Sequence, residues 1–295
     1  MQRGRTERAR GRYTTAKMAP EYTHVNESID KADTVLDTSG TLEARLATTQ
    51  AEIEAAQRLR FEVFYREMSA QASPEMNATG RDFDKYDPVC EHLLVVDRAD
   101  GDKVIATYRL MSAAGAAKVG GFYTAGEYDI AAMLKSHAGQ KLLELGRSCV
   151  LKAHRTGPTM QLLWRGLLVY LLRNNVDLMF GCASLPGTDP GVLKLELAYL
   201  HHFHAMPEGE RVRALAHHYT PMNVIPKAEI NPADALRELP PLVKGYVRMG
   251  ALIGDGGVID RQFGTTDVFI YFPIASANPR WIKHLKKKVT AGADA

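Results

Sequence analysis

A chain of 295 residues with 45% hydrophobic and 24% charged content carries enough apolar surface for one large core or two smaller ones, which excludes a wholly disordered chain and a membrane-embedded one. A net charge of +3, without any stretch in which basic and aromatic residues interleave, argues against nucleic acid as a partner. Cys90, Cys149 and Cys182 stand far apart without CxxC spacing, the pattern of reduced, buried thiols in a cytosolic protein rather than of a disulfide frame or zinc site.

Residues 1–40 show no hydrophobic period and open with Arg3, Arg5, Arg8, Arg10 and Arg12, so they are expected to form a disordered basic tail. No apolar segment follows Arg12 as a signal peptide would need. The longest apolar helix candidate, residues 162–172, is interrupted by Arg165 and is too short to span a bilayer. The chain is expected to stay in the cytosol or to lie on a membrane surface.

Order is expected to begin with a strand at 42–48, followed by a helix over 51–66 in which Ile53, Ala56, Leu59, Val63 and Phe64 recur at helical spacing. Arg60 lies near the core-facing edge of that helix. A polar loop over 69–88 holds the charged run Arg81-Asp-Phe-Asp-Lys-Tyr-Asp87 and ends at Pro88. The apolar runs 92–97 and 103–111, separated by Ala99-Asp-Gly-Asp102, read as a hairpin. The next strand, 142–151, carries Glu144 and Arg147. Alternation would send these to opposite faces unless a bulge or splay re-aims one of them.

A buried helix at 158–173, a strand at 176–183 and a helix begun by Asp189 and Pro190 and running to about His202 come next. Prolines then break the pattern until a helix at 242–252 and a hairpin, 257–261 with 266–272. The end, Trp281-Ile-Lys-His-Leu-Lys-Lys-Lys288, joins an apolar anchor to a basic run. Peripheral contact with an anionic membrane surface and a solvated tail both stay open for it. Residues 41–275 therefore read as one domain and 276–295 as a basic C-terminal tail. The cluster His201-His202-x-His204 lacks zinc-site spacing and companions, so no metal is expected.

This order of elements resembles the GNAT acyltransferase fold, an α/β (α+β) architecture on a mixed sheet, here with a C-terminal extension. Arg60-Phe-Glu-Val-Phe64, Asp84-Lys-Tyr-Asp87 with His92-Leu93, Arg109, and Glu144-x-x-Arg147 follow in the order and spacing of autoinducer-synthase-like acyltransferases. In the second half, Phe180-Gly-Cys-Ala-Ser-Leu-Pro-Gly-Thr-Asp-Pro190, Ala198-Tyr-Leu-His-His202, Leu239-Pro-Pro-Leu-Val-Lys-Gly-Tyr246 and Ile259-Asp-Arg-Gln-Phe-Gly-Thr-Thr-Asp267 are similar to the L-ornithine N-alpha-acyltransferases of bacterial ornithine lipid synthesis. The resemblance implies transfer of a 3-hydroxyacyl group from acyl carrier protein to the alpha-amino group of L-ornithine. No bound cofactor is then expected, the donor being an acyl-4'-phosphopantetheine on the carrier.

Such chemistry needs a base for the ammonium form of the amine, donors for a tetrahedral oxyanion and anchors for a zwitterion. Glu144 is the candidate base or ammonium binder, with partnership to Arg147 as the alternative. One of Arg60, Arg109 and Arg147 can clamp the carboxylate, with Asp84 and Asp87 holding the arginines or binding the delta-ammonium. Tyr199 is the candidate proton donor to the leaving thiolate, against a packed-core reading. The oxyanion donors are expected to be backbone N–H groups around residues 145–148. Residues 154–159 carry only part of the glycine-rich loop that cradles the coenzyme A pyrophosphate, so Lys152, Arg155 and Arg165 are candidates for an acidic carrier protein instead, with ordinary surface bases as the alternative for each. Two other classes stay open: an acyl-homoserine lactone synthase using S-adenosylmethionine, and a non-catalytic carrier or lipid binding module.

Overall fold

The computed structural model describes residues 34–277. Val35–Ser39 (β1) and Leu42–Leu46 (β2) form an antiparallel hairpin at the edge of the main sheet. Gln50–Phe61 (α1) starts at Thr49, whose side chain accepts from the Glu52 N–H while the Glu52 side chain reaches back, a reciprocal capping box. The predicted single helix does not run on unchanged, because Glu62–Glu67 is π-helical. The wider turn brings three successive side chains, Val63, Phe64 and Tyr65, into the interior, which a 3.6-residue turn would not.

Pro74–Thr79 (α2) follows, then Glu91–Asp97 (β3) and Lys103–Ser112 (β4), paired as the expected hairpin. Ala113–Lys118 (α3), Tyr128–Asp129 (β5) and Ala131–Ser136 (α4) lead to the central strand, Leu142–Val150 (β6). Gly157–Arg173 (α5), Leu178–Pro186 (β7) and Lys194–His204 (α6) come next. The last part holds Arg213–Ala214 (β8), Tyr219–Thr220 (β9), Pro232–Glu238 (α7), Pro241–Met249 (α8), Leu252–Ile253 (β10), Gly257–Asp260 (β11) and Thr265–Pro273 (β12).

The main sheet runs β1-β2-β3-β4-β6-β7-β12-β11-β9, with β10 also on β12. Both faces are covered. In β3, Leu93 and Val95 join the core beneath α5, α6 and α8, whereas Leu94 and Val96 join the one beneath α1 and the π turn. That is why β3 reads as an unbroken apolar run.

Two irregularities position the site. Between β4 and β6, Thr107 faces Cys149 and Arg109 faces Gly146, so Arg147 and Ser148 together oppose Tyr108 in a β-bulge. Arg147 sits in the left-handed region at φ +52°, a conformation that costs a non-glycine residue about 1–2 kcal/mol. Between β6 and β7, the only parallel strand pair in the sheet among the described residues, pairing covers Leu142↔Leu178, Leu143↔Met179 and Glu144↔Phe180 and then stops. A Cβ at Gly181 would lie 2.3 Å from the Leu145 carbonyl oxygen. The glycine therefore lets the strands touch where they part, and the remainder of each diverges into a V.

The structure corrects several expectations. Residues 35–39, assigned to the basic tail, form β1, because Leu36 packs under α5 and Asp37 pairs with the buried Arg165 of that helix. The helix expected from Asp189 begins at Lys194, since Asp189 Oδ1 accepts from the Gly191 N–H and closes a local turn instead. Residues 1–33 and 278–295, which hold most of the N-terminal tail and nearly all of the C-terminal one, lie outside the described residues. Among the described residues no helix is long and apolar enough to cross a membrane.

Candidate active site

The V between β6 and β7 opens into a cavity of about 500 Å³. On one face of the sheet its walls are Arg109, Tyr123, Glu144, Arg147, Asp260 and Asp267; on the other they are Tyr108, Leu145, Met160 and the turn 240–242. Glu144 and Arg147, nominally on opposite faces, both line it because of the bulge.

Arg60, Arg109 and Arg147 meet three aspartates of the charged run. Arg60 is fully buried and donates to Asp82 (2.7 Å) and Asp87 (2.6 Å). Arg109 donates to Asp84 (2.7 Å) and Asp87 (3.1 Å). Arg147 lies 3.4 Å from both Asp82 and Asp84. Burial opposes ionisation of Asp82 and Asp87, but the Arg60 guanidinium holds both below the usual carboxylate range. His92 donates from Nε2 to the Asp87 carbonyl oxygen (3.2 Å), and burial pulls its pKa down to about 4, so it is neutral. Three guanidiniums thus balance three carboxylates, and the network laces residues 82–87 to α1, β4 and β6.

Within this network the candidates divide. Arg60 and Asp87 have no surface toward the cavity and act as a foundation. Asp84 braces Arg109 and Arg147, which do line the cavity. The Arg147 guanidinium sits over the rings of Phe263 (4.8 Å) and Tyr123 (5.3 Å), and its buried Nε makes no hydrogen bond. Asp82, unmarked in the sequence reading although it lies in the same run, bonds Arg60 and accepts from the Tyr65 hydroxyl at 2.9 Å.

Glu144 is 4% exposed. Its Oε2 accepts from the Tyr123 N–H at 3.0 Å and its Oε1 from the Thr124 N–H at 2.7 Å. Burial raises its pKa, and the hydrogen bonds from Thr124 and Tyr123 oppose that rise. Both oxygens fix the turn that presents Tyr123 to the cavity, which Glu144 itself also lines.

A second group of carboxylates was not singled out from sequence. Ligand oxygens of Glu127, Asp260 and Asp267 lie within 4.8 Å of one another. No salt bridge joins any of them to a cation among the described residues. Asp260 caps the β11–β12 turn by accepting from the Gln262 and Phe263 N–H groups. Asp267 accepts from the Thr265 hydroxyl at 3.0 Å, and Glu127 Oε2 is buried without a hydrogen bond. Burial, with the neighbouring Asp267 charge, lifts Glu127 to about 7. Burial, with the Asp260 charge, lifts Asp267 to about 6. Carboxylates so placed attract a cation, either an ammonium or a hard metal ion, although three oxygens are fewer than a calcium site uses. The only advance signal was the string Ile259–Asp267, in which neither aspartate stood out from ordinary hairpin polarity.

The remaining candidates fall elsewhere. Tyr199 is packed in the main core and its hydroxyl bonds His204 at 3.0 Å. It does not line the cavity, so its aromatic ring serves packing rather than the leaving thiolate. Arg165 is buried and ties α5 to β1 through Asp37 and the Thr38 carbonyl, which removes it from any carrier-protein surface. Arg155 lines the cavity mouth but is paired with Glu67 at 2.7 Å, and Lys152 is exposed beside it. Beyond Glu144 the β7-facing edge of β6 is free of strand pairing, as a set of backbone oxyanion donors requires.

Residues 59–165 match the model of an acetyltransferase (GNAT) domain. The chain is 44% identical over 268 residues to an L-ornithine N(alpha)-acyltransferase of Rhizobium meliloti (strain 1021), covering 90% of this chain and 88% of that protein. It is 47% identical over 254 residues to an L-ornithine N(alpha)-acyltransferase of Brucella abortus (strain 2308), covering 85% and 90%. Among solved structures it is similar to an N-acyl amino acid synthase from uncultured soil microbes, at 10% identity and a TM-score of 0.44, covering 79% of this chain and 91% of that one. It is also similar to a CoA-dependent acyl-homoserine lactone synthase, at 12% identity and a TM-score of 0.45, covering 82% and 83%. The chain belongs to the L-ornithine N(alpha)-acyltransferase family and carries a GNAT acyltransferase domain.

Proposed function

We propose that the protein transfers a 3-hydroxyacyl group from the phosphopantetheine arm of acyl carrier protein to the alpha-amino group of L-ornithine, releasing lyso-ornithine lipid. One observation carries this reading: the apolar cavity in the V is lined by guanidiniums on one wall and, on the other, by Asp260 and Asp267, which no salt bridge joins to a cation among the described residues. Ornithine bears a carboxylate and two ammonium groups. Arg147, with Arg109 beside it, takes the carboxylate. Glu127 and Asp260 take the side-chain ammonium, and Asp267 faces the alpha-nitrogen.

An amine attacks a thioester only when unprotonated. Asp267, with a pKa near 6, is ionised at neutral pH yet basic enough to receive the ammonium proton. The freed nitrogen adds to the thioester carbonyl, and the oxyanion is held by N–H groups on the open edge of β6. Collapse breaks the C–S bond as the nitrogen loses its second proton. The thiolate is protonated from Tyr123, whose phenol is kept in the acid form by burial; the Tyr123 phenolate takes up the nitrogen's second proton, and Asp267 releases the first to solvent. The carrier docks at the mouth beside Lys152 and Arg155, and the amphiphilic product suits release at a membrane surface.

The test incubates the protein with 3-hydroxyacyl carrier protein and one of four acceptors, then weighs the products. The acceptors are L-ornithine; norvaline, which lacks the side-chain amine; putrescine, which lacks the carboxylate; and S-adenosylmethionine. Alpha-N-acylornithine is expected, with norvaline and putrescine poor substrates. A product formed only from S-adenosylmethionine would refute the proposal.

A further inference from the structure

The cavity crosses the sheet, and its two halves differ in chemistry. Opposite the charged half, on the α5 and α8 side, lie Leu145, Val150, Met160, Pro240, Pro241 and Leu242. Residues 240–242 lie beyond residues 59–165, which match the GNAT domain, so that part of the wall is supplied by the C-terminal extension, against Leu145, Val150 and Met160 of the GNAT domain. It is also rigid. Pro240 and Pro241 have fixed φ and no N–H. The buried Tyr246 of α8 shares a hydrogen bond with the Tyr108 hydroxyl, and its ring meets Trp164 of α5 edge-on at 5.1 Å. Gly245 lies flat against Trp164, where a Cβ would already be 3.4 Å from the indole.

A pantetheine arm carries two amides that need hydrogen-bond partners, which the open strand edges can give and the side chains of Leu145, Met160, Pro240 and Leu242 cannot. A hydrocarbon tail has no such need. Resting on the acyl-transfer reading above, we infer that Leu242, backed by Met160 and Pro240, contacts the distal acyl tail of the donor and sets its length. Because α8 is fastened to both the sheet and α5, the wall cannot retreat from an extra methylene, and a fixed apolar wall discriminates by about 10-fold or more per methylene.

Wild type, Leu242→Ala and Leu242→Trp are assayed with an equimolar mixture of 3-hydroxyacyl carrier proteins rising in two-carbon steps, and the products are weighed. Leu242 is half-buried, so both variants are expected to fold, and thermal unfolding checks this. The alanine variant should move the longer-to-shorter product ratio upward by about tenfold, and the tryptophan variant should move it downward by a similar factor. Unchanged length profiles in active variants overturn the inference while leaving the acyltransferase reading intact. If the wild type is inert with every donor, that reading fails. Displacement of a fluorescent fatty acid by a ladder of free fatty acids then tests the wall alone, and identical length preferences in wild type and variants overturn it.

Discussion

Replacing Asp267 by Asn should make the protein more stable and nearly inactive. In the folded chain Asp267 holds its proton to about pH 6 rather than the ordinary 3.8, chiefly because it is buried. The folded state therefore binds that proton more tightly than the unfolded chain does. Stability is full below about pH 4 and falls as pH rises through the interval up to about 6, above which the whole cost of the buried charge is carried. Two pKa units correspond to roughly 3 kcal/mol. Asparagine keeps the acceptor for the Thr265 hydroxyl and carries no charge, so at pH 8 its unfolding temperature should rise by about 5 °C. The gain should shrink to nothing near pH 4. The same variant lacks the base, and kcat/KM should drop by about 10²–10⁴, with loss of the acid limb near pH 6. Thermal unfolding across pH 4–8 and a pH–rate profile read both effects. A variant less stable than wild type at pH 8, or one within about threefold of wild-type activity, would refute the reasoning.

Four further outcomes follow from the contacts. Glu144→Gln puts an amide NH₂ against one of the Tyr123 and Thr124 N–H donors. It should cost about 1–3 kcal/mol in urea unfolding and lower kcat/KM while preserving the acid limb near pH 6 that Asp267→Asn abolishes. Arg60→Met strands the buried Asp82 and Asp87 carboxylates and should cost about 3–5 kcal/mol, seen as an early unfolding midpoint. Gly181→Ala drives a methyl group into the Leu145 carbonyl, which pushes the V open at its apex; a loss of about 100-fold in kcat is expected. Tyr199→Phe removes only the bond to His204, so kcat/KM should stay within about twofold while stability falls by about 1 kcal/mol.

Much of the scaffold was legible because local pattern and tertiary role agree. The β3–β4 hairpin announced itself through Ala99-Asp-Gly-Asp102, and Gly101 does adopt the left-handed turn conformation. Arg60 drew notice as a charge on a core-facing helix edge, and it proved to be the buried centre of the ion network. What escaped depended on register or on distant segments. Strict alternation separates Glu144 from Arg147, and only the extra residue opposite Tyr108 brings both into one cavity. Asp260 and Asp267 each look like polar residues of an ordinary hairpin, and Glu127 lies in a segment without a clear period. Their meeting requires β12 to pair with β7 and the 123–127 turn to fold back over Cys182. The start of α6 was misplaced because Asp189 and Pro190 carry strong local signals that a tight Asx turn also satisfies. β1 was missed because an edge strand with one apolar side chain turned inward has almost no sequence signature.

The short parallel contact between β6 and β7 has a mechanical meaning. Three residue pairs join two antiparallel leaves, one built from β1, β2, β3, β4 and β6 and the other from β7, β9, β10, β11 and β12. Arg109 and Arg147 belong to the first leaf, and Asp260 and Asp267 to the second. An amino acid held by both sets of charges would act as a further rung across the joint. Acceptor binding should therefore slow amide exchange in both leaves together, including strands such as β3 and β9 that the small molecule never touches.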